Sequence, residues 1–521
     1  MRIRRTARAT TAATLLCTLA VTAACSSDDG ADFTTAKDQP LTISLDDLLA
    51  KAGGTAVVAI ANPEHGDLTR TADGALVYTP HPGYTGTESL KVTTTDAVRL
   101  YTTDIPALGE FGGVPVQGSA FGSGFTAVPG SSDEFYGLTD RGPNVDGKVK
   151  NEKIVPMPEF VPKIAKFRLV DNRAELVSTI ELRNRAGVPF NGIVDSGAST
   201  GETMRDLNGN TLPPTDHGLD PEGLVALPDG TFWVSDEYGP YLVHFDAAGT
   251  EIERLSPGNG LPAELSQRTP NQGMEGLTVT PDGSTLVGMM QSGLKTPGLD
   301  SARSVPMTRI VTIDLKSKAV REFVHPLEDP KSQLGVSEIT ALSDTTFLVD
   351  ERDGKTEPNA NKKVWTIDIS GATDIGPQAN VPGAHYDPKI GLMIGDKGIE
   401  THVGAVSTAD GVAALQKAGI TPVAKKENLD LAALVTGLNG EGKFFGHDKI
   451  EGIATTDGGR TVYIANDSDF GLDGIANDQP PFTLKAKTQP NGLQDTGEIL
   501  AVDTTKLPAR TTTETVTIDI G

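Results

Sequence analysis

Glu222, Glu275, Glu338 and Glu451 each open a short motif: Glu222-Gly223-Leu224, Glu275-Gly276-Leu277, Glu338-Ile339-Thr340 and Glu451-Gly452-Ile453. Four carboxylates brought together without cations would raise one another's pKa at the expense of the fold. A divalent cation resolves that conflict, and an all-oxygen donor set suits calcium best. The same glutamates could instead accept backbone hydrogen bonds from the next repeat, or pair with Arg141 and Arg352. Nine to eleven residues after each glutamate an apolar run ends in polar groups: Phe232 to Asp236-Glu237, Leu286 to Gln291, Phe347 to Glu351-Arg352, and Val462 to Asn466-Asp467. An earlier copy ends in Asp140-Arg141. Carboxylates beside guanidinium groups can hold a metal and clamp a phosphate or carboxylate with a planar two-pronged donor.

The spacing therefore predicts three sets of residues. Glu222, Glu275, Glu338, Glu451 and Asp467 hold the metal, with calcium as the cofactor. Asp140, Arg141, Arg352 and Lys449 meet the substrate anion. Asp236, Glu237 or His447 acts as base. His217 and His447 both precede a repeat glutamate, and a loop histidine without a role is the plainer reading of each. Asp467-x-Asp469-x-Gly471 starts like an EF-hand loop but lacks its glycine and terminal glutamate at the required positions. No G-x-S-x-G elbow, P-loop, H-E-x-x-H or Arg-His-Gly triplet is present, so serine-hydrolase chemistry has no support.

Short strands must position these groups. A third run in each copy closes on aspartate, at Asp246, Asp314, Asp368 and Asp503. With 58 glycines and 34 prolines among 521 residues, the chain reads as many short strands joined by turns. Self-similarity of this kind predicts an all-β fold, a β-propeller of six blades within a range of five to seven. Motif starts lie 53 residues apart (222 to 275), then 63 (275 to 338), then 113 (338 to 451), and the wide gap predicts a sixth blade within about 370–445. The strand-like terminus Thr515 to Ile520 is expected to close the ring as an outer strand of the opening blade. Val412 to Lys417 and Leu429 to Leu438 have helical spacing and read as an elaboration of the propeller.

Ahead of the repeat the chain divides into residues 1–24, a lipoprotein signal; 25–36, a polar tether; 37–97, a small Ig-like β-sandwich; and 98–521, the propeller. Arg2, Arg4, Arg5 and Arg8 precede a short apolar stretch, and Val21-Thr22-Ala23-Ala24-Cys25 resembles a bacterial lipobox, which implies lipidation of Cys25 and an extracytoplasmic location. Pro63-Glu64-His65-Gly66, Tyr78-Thr79-Pro80 and Gly83-Tyr84-Thr85-Gly86 resemble the cadherin-like, Ig-like modules of bacterial surface proteins, read here as a spacer. Cys17 lies in the signal, so the mature chain keeps one cysteine and no internal disulfide. Loss of the signal takes the formal charge from −24 to −28, which argues against nucleic acid and against charge-driven binding to anionic lipid.

Phe135-Tyr136-Gly137-Leu138-Thr139-Asp140-Arg141-Gly142-Pro143-Asn144, Asp220-Pro221-Glu222-Gly223-Leu224, Trp233 to Pro240, Lys449 to Ile453 and Tyr463 to Gly471 together resemble the bacterial phytase-like family described as having esterase-like activity. The resemblance spans roughly residues 110–507. It implies a secreted or lipid-anchored propeller and suggests ester or phosphoester hydrolysis. The resulting expectation is a monomeric surface lipoprotein that hydrolyses a small phosphate or other ester with metal assistance. A non-catalytic binding scaffold and a calcium lactonase acting on neutral substrates stand as alternatives.

Overall fold

The computed structural model describes residues 30–71, 74–198, 200–328 and 334–521; the signal segment and Cys25 lie outside them. Five antiparallel units of four strands follow one another along the chain, the second with a short parallel fifth strand at Gly260–Leu261. The first has strands Gly124–Ala127, Glu134–Leu138, Lys163–Val170 and Arg173–Glu181. The next three open on Pro221–Ala226, Met274–Val279 and Gly335–Ala341. The fifth opens on Ile450–Ala454, continues through Thr461–Asn466 and Glu498–Asp503, and takes its outer strand, Val98–Thr103, from the start of the repeat region. Each opening strand packs against that of the next unit, and Ile450–Ala454 packs against Gly124–Ala127. The ring is closed with five blades.

Every blade is covered on both faces by its neighbours, and for that reason the second strands are apolar throughout rather than alternating. Phe232 and Val234 enter the core shared with Leu138 and Ile164 of the preceding blade, whereas Trp233 enters the core shared with Leu277 and Leu286 of the following one. No sixth blade fills 370–445. That segment is inserted between the third strand of blade four, Lys362–Asp368, and its fourth, Ala424–Asp430. It carries a small three-stranded sheet and helices Ile399–Val403 and Thr408–Lys417; helix Leu431–Leu438 follows the fourth strand. Helices at 408–417 and 431–438 match the two stretches of helical spacing.

The C-terminal strand goes elsewhere than expected. All ten residues of Thr511–Ile520 pair with Gly86–Thr95 of the Ig-like module, and Ile518–Ile520 also pair with Phe33–Thr35. The tether therefore ends before Phe33, and the propeller ends before Thr511. Val98–Thr103 already completes the fifth blade, so the terminus is not needed there, while Gly86–Thr95 would otherwise be a long exposed edge. A second sheet of Leu41–Ile43, Leu76–Pro80 and Gly66–Arg70 faces the first, and helix Leu45–Ala52 is capped by Ser44 Oγ, which accepts from Asp47 N at 3.0 Å. Ala56 and Val58 of the module share an apolar core with Leu434, Leu438, Phe444 and Val502 of the propeller.

Val516, Ile518 and Ile520 are at most 1% exposed, and each stabilises the module by about 1.5–3 kcal/mol through burial. Deleting residues 509–521 is expected to abolish hydrogen-exchange protection of amides 86–95 while amides 450–454 stay protected. Retained protection at 86–95 would show that the module folds without the chain end.

Candidate active site at the mouth of the propeller channel

Pairing between first and second strands aligns the blades residue by residue. Phe125 faces Gly137, Leu224 faces Val234, Leu277 faces Gly288, Ile339 faces Val349, and Ile453 faces Ile464. One position earlier stand Gly124, Gly223, Gly276, Glu338 and Gly452; two positions earlier stand Ser123, Glu222, Glu275, Ser337 and Glu451. Glu338 is thus one residue out of step with the other three glutamates, and Ser337 holds the equivalent place. A one-residue step moves a strand side chain to another face. The glycines let adjacent inner strands approach: a Cβ at Gly223 would lie 2.5 Å from Glu275 O, and one at Gly276 would lie 2.6 Å from Ile339 N. Glu338 instead sends its carboxylate among the strands, where Oε1 accepts from Leu277 N at 3.0 Å and Ile339 N at 2.9 Å. Burial holds its pKa well above the usual carboxylate range. Glu338 braces the ring and does not join the other glutamates.

A second tier comes from the ends of the second strands. By the same register these positions are Asp140, Glu237, Gln291, Arg352 and Asp467. Between the tiers opens a cavity of about 480 Å³ reached by Glu222, Glu237, Glu275, Glu451, Arg352 and Lys449, with Arg303 and Lys355 exposed at its rim.

Charge in this region is unevenly compensated. Arg141 Nη1 lies 3.0 Å from Glu202 and 3.4 Å from Asp220, and it donates to Tyr238 Oη at 3.3 Å. It is buried behind the cavity wall instead of facing a substrate, as is Asp140, whose Oδ1 accepts from Gly142 N at 2.8 Å. Arg352 Nη2 donates to Glu451, and its Nε donates to Ser337 Oγ at 3.0 Å. Lys449 donates to Asp467 at 2.9 Å and Asp469 at 2.7 Å, and Lys487 to Asp469 at 2.7 Å. Asp467 is therefore held by a lysine in the place where a metal was expected, and the EF-hand-like turn encloses ammonium groups.

On the opposite wall Arg141 reaches Asp220, but among the described residues no cation lies at hydrogen-bonding distance from Glu222, Glu237 or Glu275. Single ligand atoms of Asp220, Glu222 and Glu237 lie within 4.8 Å of one another. Glu237 Oε1 is buried without a hydrogen bond, and Asp220 Oδ2 has none beyond its 3.4 Å ion pair with Arg141; Glu322, Glu338, Asp350 and Glu357 carry such oxygens too, but none of these four lines the cavity. Burial first, and then the charge of Glu275, raises Glu222 well above the usual range; burial and then Glu237 do the same for Glu275. Glu237 is pushed up to about 8, by burial and then by Asp220. Converging carboxylate oxygens fit a hard cation; of the five expected ligands this cluster keeps Glu222 alone, adds Asp220 and Glu237, and does not include Glu275, Glu338, Glu451 or Asp467. Asp220 precedes the strand Pro221–Ala226, whose register shifts before Leu224, and strand alternation alone does not place it beside Glu222.

The family model for phytase-like proteins, described as esterase-like activity of phytase, matches residues 115–470, a span that encloses both tiers. The chain belongs to this family. A bacterial Ig domain matches residues 22–105. An uncharacterized secreted protein of Arthroderma benhamiae is 26% identical over 276 residues, 42% of this chain and 54% of the relative, so the chain spans about half the length of the curated relative it matches. Among solved structures, the periplasmic gluconolactonase PpgL of Pseudomonas aeruginosa aligns with 85% of this chain and 100% of its own at 11% identity and a TM-score of 0.30. Hydrazine synthase of Kuenenia stuttgartiensis aligns with 83% and 98% at 13% identity and a TM-score of 0.28. With scores this low, the β-propeller rests on the strand order and ring closure of the chain itself.

Two of the three expected bases of this phytase-like propeller do not face the first cavity. Asp236 accepts from Asp220 N at 2.8 Å and Gly239 N at 2.7 Å, which positions Asp220 and uses both its oxygens. His447 lies on a second cavity, with Nδ1 2.8 Å from Asp495 and Nε2 3.0 Å from Glu498. Although burial lowers its pKa, the two carboxylates push it up to about 10. An imidazolium with both nitrogens donating has no lone pair to accept a proton. His217 pairs with Asp216 at 2.8 Å, away from both cavities.

Two outcomes are expected for these phytase-like residues. Glu338→Gln keeps the backbone acceptor and should cost less than about 1 kcal/mol, whereas Glu338→Ala leaves buried amides unpaired at about 1–3 kcal/mol each, measured by denaturant unfolding. Because its folded pKa is raised, His447 stabilises the fold fully below the ordinary histidine value of about 6.5, and that contribution fades as pH climbs toward about 10. His447→Leu should cost about 3–5 kcal/mol at pH 7, with the gap to the parent narrowing toward pH 10. A gap that does not change with pH would mean that His447 is neutral.

Proposed function

We propose that this phytase-like protein is an extracytoplasmic, metal-assisted hydrolase of phosphate or other esters, held to the membrane through a lipidated Cys25. The observation that carries the reading is the cluster of Asp220, Glu222 and Glu237, in which Glu222 and Glu237 line a cavity large enough for a small ester and Asp220 lies buried behind them, 3.4 Å from Arg141. Calcium is the cation favoured by an all-carboxylate, irregular donor set. When bound, it would act as a Lewis acid on the ester oxygen and on an attacking water. Asp220, Glu222 and Glu237 are its ligands in this reading. Glu275, beside them and raised in proton affinity, takes the proton of the attacking water. Arg352 and Lys449, with Arg303 and Lys355 at the rim, orient the anionic part of the substrate.

The extracytoplasmic location is supported by the Ig domain and by the relative described as secreted. Among the described residues no helix is long and apolar enough to cross a membrane. A formal charge of −24 disfavours nucleic acid as a partner.

One feature favours a neutral substrate, such as a lactone, as the second reading. Arg352 is already spent on Glu451 and Lys449 on Asp467 and Asp469, so the strongest cations of the cavity are paired. Loss of turnover in Arg303→Ala and Lys355→Ala, scored on phosphomonoesters and on lactones, separates the two.

Calcium at a hundred times its Kd is expected to raise the stability of the full chain by about 2.7 kcal/mol. Chelator, Asp220→Asn and Glu237→Gln should each remove both that shift and the turnover of phosphomonoesters, carboxyl esters or lactones, while Glu275→Gln removes turnover and keeps the shift. A calcium shift without turnover of any ester class would make the protein a binding scaffold; no shift from any divalent cation would sink the metal site.

A further inference from the structure

The first cavity continues into another. Gly354 and Lys355 line it and also line a second cavity of about 510 Å³, whose floor is formed by His447, Lys487 and Asp495. The divider is low, a glycine and an exposed lysine side chain. It is also fixed in place. Lys362 is completely buried, donates through Nζ to the carbonyl of Lys355, and lies 3.8 Å from Asp353 and 3.6 Å from Glu357. A ligand longer than one cavity can therefore lie across a rigid sill.

The two cavities differ in their balance of charge. In the first, carboxylates outnumber the cations that face them. In the second, Lys355, His447 and Lys487 meet Asp448, Asp473 and Asp495, and most of these charges are already paired. His447 Nδ1 lies 2.8 Å from Asp495, and Lys487 lies 2.6 Å from Asp448 and 3.3 Å from Asp495. Paired charges leave no net field to draw in an anion. What remains on the walls is neutral and hydrogen-bonding, with Thr356, Asn359, Thr488 and Gln489 and no large apolar or aromatic side chain. Cavities that take apolar ligands are lined mainly by hydrophobic and aromatic groups, so this one suits a body covered in hydroxyls.

We infer that the second cavity is a subsite for a neutral, polyhydroxylated group of the sugar or polyol kind. The substrate is then an ester whose reacting head sits in the first cavity and whose uncharged, hydroxyl-rich body lies across the sill at Gly354 and Lys355. A polyanion gains nothing from this arrangement, because His447 and Lys487 are already committed to Asp495 and Asp448, and a further negative group would meet Asp473. The inference deepens the ester-hydrolase reading and rests on it for the identity of the head group; the hydroxyl subsite itself depends only on the second cavity.

Calorimetric titration of the calcium-loaded full chain tests it, with orthophosphate, glucose 6-phosphate, fructose 1,6-bisphosphate and maltose as probes. Two or three added hydrogen bonds predict that glucose 6-phosphate binds about tenfold or more tighter than orthophosphate, and that the bisphosphate binds less tightly than the monophosphate. Asn359→Leu and Thr356→Val, both on the sill loop, should erase that gain and leave orthophosphate binding unchanged. If orthophosphate and glucose 6-phosphate both fail to bind, the phosphate reading of the first cavity falls, and maltose alone decides the subsite: binding that Asn359→Leu abolishes supports it, and no maltose binding overturns it. Tightest binding by the bisphosphate, or a sugar gain that survives both substitutions, also overturns it.

Discussion

The constraint on which this architecture turns is charge neutrality at one end of a closed ring of strands. A propeller points the same position of every blade at one axis, so a repeated glutamate becomes a crowd of glutamates as soon as the ring closes. Crowded carboxylates at low dielectric either take up protons or require cations. The chain answers with its own bases on one side. Arg352 takes Glu451, and Lys449 and Lys487 take Asp467 and Asp469. On the other side Arg141 reaches Asp220 and Glu202, leaving Glu222, Glu237 and Glu275 without a base at hydrogen-bonding distance. Asymmetry within a nearly symmetric frame creates one place suited to an external cation.

Closure matters as much as sequence repetition. Glycines at four of the five equivalent inner positions bring adjacent strands together, and at the fifth Glu338 bonds across to Leu277. The final blade is completed by Val98–Thr103, which leads directly out of the Ig-like module, while the chain end returns to complete that module. Each unit thus borrows a strand from far away in sequence, and their shared apolar core joins them further. What reads along the sequence as a spacer is structurally part of the propeller's support.

Much of this was legible in the residues. The alternation of apolar runs with Asp-Gly turns carried the propeller, and Glu222, Glu275 and Glu451 were recognisable because Glu-Gly-aliphatic survives in three blades. Glu338 misled because Ser337-Glu338-Ile339 offers two alignments one residue apart, and only the strand pairing decides between them. The blade count misled because the 113-residue gap between motifs looks the same whether it holds a blade or an insertion in one. The compensating bases were largely invisible, since Lys487 and Glu202 lie in loops whose approach to Asp469 and Arg141 depends on closure of the whole ring. His447 showed its proximity to Glu451 in sequence but not the two carboxylates that fix its charge.

Buried acids elsewhere in the fold sharpen the contrast. Arg309 sits among Glu264, Glu322 and Glu400, with both its Nε and Nη2 on Glu400. Glu351 is shared by His325 and Lys425. Lys362 lies between Asp353 and Glu357. Removing one member of such a cluster strands a buried charge at a cost of about 3–5 kcal/mol, so a sequence under no other demand tends to keep them matched. Unused buried oxygens occur in these clusters as well, at Glu322 Oε1 and Glu357 Oε2, and Asp220 has Arg141 at 3.4 Å, so a missing hydrogen bond does not by itself distinguish Asp220 and Glu237. What sets the channel mouth apart is access: Glu222, Glu237 and Glu275 line an open cavity, and among the described residues no cation lies at hydrogen-bonding distance from them, so a cation arriving from solution can reach carboxylates that the buried clusters enclose.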